Sequence, residues 1–190
     1  MKVKSIRLSY VLGVMLVLVA VIVFLLLGAS SAAGQSTVTV IPKVIIASGG
    51  SLSIVSGTSG SNSDLVDLGE VGPGATKQAS LTLGVNANNA WHLTVSKSQD
   101  LKCSSPGDPG YNQSIASSSF TYTSNGPGGF IYTTTDTEFG PVGAPSNVVM
   151  GGTAASGCNV NIVYKLVVPA SQPAGYYVAP NHIYTLIVGS

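Results

Sequence analysis

Two cysteines, two histidines and seven carboxylates are the groups through which this 190-residue chain could do chemistry. His92 and His182 each fall in or beside an apolar-polar alternating run, with no nucleophile or carboxylate next to them in sequence. A general base needs such a partner within hydrogen-bond reach, so both read as surface or packing residues. Asp64, Asp67 and Glu70 are spaced by three, as in some calcium loops, and Asp136 and Glu138 form a second acidic pair. Neither group follows the twelve-residue calcium-loop pattern, and both read as solvated turns. The serine-rich runs GSLSIVSG and GTSGSNS lack the strand–elbow–helix setting of a hydrolase nucleophile. GEVGPG and NGPGG lack the strand–loop–helix setting that cradles phosphate, and read as turns. The expectation is a protein that is not an enzyme, with no catalytic residue, no metal and no cofactor.

What the cysteines do depends on where the chain resides. Lys2, Lys4 and Arg7 precede an uncharged apolar run from Leu8 to Leu27, and the small-residue stretch GASSAAGQS follows. That is the grammar of an export signal, with the cut placed after Ala33. The run is also long enough to span a bilayer, so an uncleaved anchor through residues 8–27 is the alternative reading. In both cases the remainder is exported, which predicts a secreted or cell-surface location. A type IV pilin precursor is a further alternative, although KSIRLSYVLG offers no glycine before the apolar run, where such precursors are cut. Beyond an export signal, Cys103 and Cys158, 55 positions apart, are expected to form a disulfide. In the chain-entropy picture a loop of that size is worth ~4 kcal/mol.

Without residues 1–33, five basic groups face seven acidic ones, and the net charge falls from +1 to −2. Such a chain has no electrostatic footprint for nucleic acid and no basic cluster for anionic lipid, so membrane contact would come only through residues 8–27. The reading thus divides the chain into a signal or anchor (1–33), an extended segment (34–50) and one domain (51–190).

The elements that must position these residues are strands. STVTVIPKVIIAS (36–48) sets Val38, Val40, Val44 and Ile46 on one side, with Pro42 suited to an edge strand or a switch between sheets. KQASLTLGVNA (77–87) alternates Leu81, Leu83 and Val85 against polar or small neighbours. WHLTVS (91–96) puts Trp91, Leu93 and Val95 on one face, which marks Trp91 as a core anchor. SFTYTSNGPGGFIYTTT (119–135) predicts a hairpin with Phe120 and Tyr122 opposite Phe130 and Tyr132. Residues 160–168 and 183–188 are apolar on both faces, as in central strands or strands covered by another chain. Seven to nine short strands without helix signals predict an all-β sandwich of immunoglobulin-like or jelly-roll type.

Tyr111, Phe120, Tyr122, Phe130, Tyr132, Tyr176, Tyr177 and Tyr184 either pack or line a sugar platform. Asn112, in the run NQS, is an acceptor sequon for N-glycosylation.

The order of these signals resembles a group of secreted microbial β-sandwich proteins. It rests on the Val/Thr segment, VDLGEVGPG (66–74), the Trp-led strand, and the closing VPASQPAGYYVAPNHIYTLIV (168–188). The group includes spore-coat-U and fimbrial-subunit-like domains, WxL-type cell-wall proteins and camelysin-like biofilm-fibre proteins. The resemblance implies self-association into a filament, pilus-like fibre or coat. An N-terminal strand, here Ser36–Ala47 with Val38, Val40, Val44 and Ile46, would then complete the sheet of the next subunit. The alternative is a monomeric adhesin or a carbohydrate- or cell-wall-binding module.

Overall fold

The computed structural model describes residues 36–46, 50–58, 60–61 and 65–189. The expected export signal and its cleavage site lie outside them. Among the described residues no helix is long and apolar enough to cross a membrane.

Among the described residues thirteen strands make two packed sheets. In chain order they are β1 (Ser36–Ile46), β2 (Gly50–Gly57), β3 (Gly60–Ser61), β4 (Val66–Val71), β5 (Thr76–Ala87), β6 (Trp91–Lys97) and β7 (Lys102–Cys103). Then come β8 (Phe120–Asn125), β9 (Ile131–Tyr132), β10 (Thr137–Glu138), β11 (Ser146–Gly152), β12 (Ala155–Val167) and β13 (Tyr176–Val188). The first sheet runs β4-β1-β13-β6-β11-β9, with β7 also on β13, and the second runs β10-β8-β12-β5-β2-β3. Every pairing is antiparallel except that of β1 with β13, the first strand with the last. The protein is an all-β sandwich.

Alternating sequence becomes alternating burial, as a pleated strand requires. Leu81, Leu83 and Val85 of β5, Trp91, Leu93 and Val95 of β6, and Val160, Ile162, Tyr164 and Leu166 of β12 are all buried in one core. The doubly apolar runs are interior strands: β12 lies between β8 and β5, and β13 between β1 and β6. Trp91 is 1% exposed and lies 5.2 Å from the Phe130 ring. Gly152 of β11 gives the indole its space, since a Cβ there would stand 2.7 Å from it.

Three expectations need correction. Phe120 and Tyr122 do not face Phe130 and Tyr132 in a hairpin, because β8 belongs to the second sheet and β9 to the first. The Gly/Pro stretch instead carries the chain between sheets. Phe120 and Tyr122 pack on Phe139, at 5.2 and 4.7 Å, while Phe130 packs on Trp91.

Pro42 is not on an edge strand, since β1 lies between β4 and β13. It is tolerated because β4 pairs only with Ser36–Val40, so beyond Val40 the strand has a ladder on one side alone. On that side the register with β13 shifts between Val40 and Pro42.

Cys103 and Cys158 are both buried free thiols. Cys103 pairs with Tyr177 at the start of β13. Cys158 pairs with Val85 of β5, beside Leu52 of β2, whose first residue Gly50 approaches Leu186 and Val188 at the far end of β13. At ~3.3 Å per residue those ends are roughly 30 Å apart. A disulfide needs Cα atoms within about 7 Å, so the fold keeps this pair apart.

Candidate functional site: the seat of the first strand

β1 is held from both sides. Ser36–Val40 pair with β4, and residues from Thr37 to Ile46 pair with β13. Val38 and Val40 are fully buried, Pro42 is buried, and Val44 is half-buried against the core. The Ile46 side chain lies outside the described residues. Ile41 and Lys43, of opposite parity, are exposed. Val66, Leu68 and Val71 of β4 add to the same core. Taking β1 out would leave a slot between β4 and β13, with two rows of unpaired backbone groups above an opened core. Residues 47–49 alone join β1 to β2 of the other sheet.

Beneath the middle of this seat is a polar row that the sequence reading did not assemble. In β13, Tyr177 and Ala179 point inward, then Asn181 adopts a positive φ of 56°, and the inward set becomes His182, Tyr184 and Leu186. This bulge turns His182 into the core, 1% exposed, instead of outward as a two-residue period would have it. His182 pairs with Pro42 of β1 on one side and with Lys97 of β6 on the other. All three side chains are buried.

Lys97 Nζ lies 2.6 Å from Asp100 Oδ1 and donates to Ser117 Oγ at 2.6 Å. Ser117 Oγ in turn donates to Asp100 Oδ1 at 3.3 Å, so the three side chains form a closed polar cluster. His182 is ringed by Phe139 at 4.4 Å and by Phe120 and Tyr164, each at 5.8 Å. Neither imidazole nitrogen has a hydrogen-bond partner among the described residues. Burial, and secondarily the Lys97 charge, lowers its pKa from 6.5 to about 3.

The other candidates are scattered. His92 is on the opposite face of β6 from Trp91, half-exposed. Asp64 lies outside the described residues, while Asp67 Oδ1 accepts from the Gly69 amide at 2.8 Å. Asp136 pairs with Lys165, and Glu138 is exposed on β10. No cluster of metal-ligating side chains occurs among the described residues. Tyr122, Tyr177 and Tyr184 are core residues and unavailable to a sugar platform, whereas Tyr111 and Tyr176 are 45% and 41% exposed. Asn112 is exposed, with φ 65°.

The chain matches no protein-family model and no curated protein.

Proposed function

We propose that the protein is a non-enzymatic structural subunit of an extracellular filament, pilus-like fibre or coat. In it, β1 of one copy fills, in the next copy, the slot it occupies within its own fold. The observation that carries this reading is the position of β1. It is an interior strand with ladders on both sides, yet it is the first of the described strands, and residues 47–49 alone separate it in sequence from β2. Strand exchange between identical chains preserves every backbone pairing and every buried valine, so a linked chain of subunits costs little beyond the lost freedom of association. Low charge along Ser36–Ile46, with Lys43 its single charged residue and on the exposed face, suits such a donor. The export signal or anchor expected in residues 1–33 and the resemblance expected from the sequence to fibre and coat proteins are in keeping with the same reading.

The test uses residues 34–190, which keep every described residue and the whole core, beside residues 48–190. Each is run unheated and heated on a denaturing gel, with negative-stain microscopy. A heat-sensitive ladder and fibres from the longer chain alone are expected. Monomers from both would overturn the reading in favour of a binding module, for which exposed Tyr111 and Tyr176, both bonded through their backbone amides to Asp108, are the surface to examine.

A further inference from the structure

The polar row under β1 suggests how its release is controlled. His182 is the one member of the row that can change charge in mildly acidic conditions while standing against the first strand. Its flanks are Pro42 of β1, Lys97 of β6, and the rings of Phe120, Phe139 and Tyr164. The titratable and charged groups facing it are Lys97, with Asp100 behind that ammonium, and the hydroxyl pair of Tyr164 and Tyr184, 2.6 Å apart. Among the described residues no carboxylate bonds to the imidazole to balance a proton: Asp100 is paired with Lys97.

A small cavity of about 10 Å³ lies between His182, Lys97, Asp100, Ser117, Phe120 and Phe139. That is room for one water molecule and no larger ligand. The Asp100 carboxylate in its lining is already ion-paired with Lys97.

We propose that His182 is an acid-sensitive latch on the first strand, and that its protonation drives β1 out of its own subunit and so promotes strand exchange. The bistable element is β1, seated or withdrawn. Seated, it covers His182 with Pro42, and the ring stays neutral. Withdrawn, it uncovers that flank of the ring, and the proton is accepted near the ordinary histidine range. A proton that binds only the open state favours opening by mass action. Burial, with the Lys97 charge, lowers the seated group from 6.5 to about 3, and withdrawal of β1 relieves the part of that burial that Pro42 supplies. Opening of β1 therefore increases as pH falls below about 6.5, by up to tenfold per unit, and by up to about 30-fold from pH 7.5 to pH 5. The other histidine, His92, lies on the opposite face of β6, away from this row.

This latch rests on the strand-exchange reading, and one experiment separates the two. Amide hydrogen exchange of Val38, Val40 and Val44, corrected for intrinsic rates, is measured from pH 7.5 to 5 on residues 34–190. Fibre growth is followed in parallel. His182→Phe, whose ring fits the aromatic surround, is the non-titrating variant, and His182→Gln replaces it if Phe does not fold. Expected are a rise in β1 opening and faster fibre growth in acid for the parent chain, and flat profiles for the variant. Equal pH profiles in parent and variant would overturn the latch. An opening that follows His182, with no fibres at any pH, would leave the latch standing and remove the filament.

Discussion

The hydroxyls of Tyr164 and Tyr184 lie 2.6 Å apart at the centre of the sandwich, one from each sheet and both fully buried. It is a polar bond between the two sheets within the shared core, and burial raises the pKa of both phenols. Each hydroxyl has the other as its partner, so removing one strands its mate. Tyr164→Phe or Tyr184→Phe is expected to cost about 1–3 kcal/mol of unfolding free energy, and the double Phe variant less than the sum of the two. Urea titration of the three variants measures the coupling.

Trp91 and Gly152 make a second reciprocal pair. The indole lies on the bare backbone of Gly152, and a methyl there would stand 2.7 Å from it. Trp91→Ala should cost about 3–5 kcal/mol through the cavity it leaves. Gly152→Ala should cost about 1–3 kcal/mol through overpacking. A variant combining both should be less unstable than additivity requires, because the added methyl enters space the indole has vacated. Thermal melts decide this.

The free thiols give a simple chemical prediction. Cys103 and Cys158 are buried at opposite ends of the sandwich. Two thiols per chain should react with an aromatic disulfide reagent once the protein is unfolded without reductant, and neither should react quickly in the folded state. Reductant should leave the melting temperature unchanged. Fewer than two reactive thiols after unfolding would contradict the fold at this point.

His182 makes overall stability depend on pH. Its pKa is depressed by folding, so the unfolded chain binds the proton more readily. Its contribution is complete above pH 6.5 and is lost as pH falls towards about 3. The expected slope from this group approaches about 1.4 kcal/mol per pH unit in that window. Denaturant midpoints of the parent chain at pH 7 and 5 should differ accordingly, and those of His182→Phe should differ by much less.

Much of the fold was legible because β5 and β6 carry their large apolar side chains at a two-residue period. Leu81, Leu83 and Val85, or Trp91, Leu93 and Val95, declare their inward face before any tertiary contact is known. The misreadings arose where the chain breaks that period or changes sheet. The bulge at Asn181 transfers inward parity from Tyr177 and Ala179 to His182 and Tyr184, and no local pattern says which residue will adopt the positive φ. The stretch from Phe120 to Tyr132 has the composition of a hairpin, but its partners are non-local: β12 for β8 and β11 for β9. Pro42 argued for an edge, yet a proline needs only one free side, and the short reach of β4 supplies it. The Pro42–His182–Lys97 row was invisible because it joins residues from three strands that only the parallel pairing of β1 with β13 brings together.

The central claim is that β1 of one chain occupies the seat of another, and a cross-link between chains tests it most directly. Lys43 of β1 pairs with Ile183 of β13, with its side chain on the exposed face. Chains of residues 34–190 carrying Lys43→Cys alone are mixed with chains carrying Ile183→Cys alone and allowed to assemble, and mild oxidant is then added. The account expects a covalent pair containing one chain of each kind, formed in fibres and absent when the two variants are oxidised as separate monomers. A bond that forms only when both cysteines are placed in the same chain, and never between mixed chains, would show that β1 stays in its own subunit and would contradict the account.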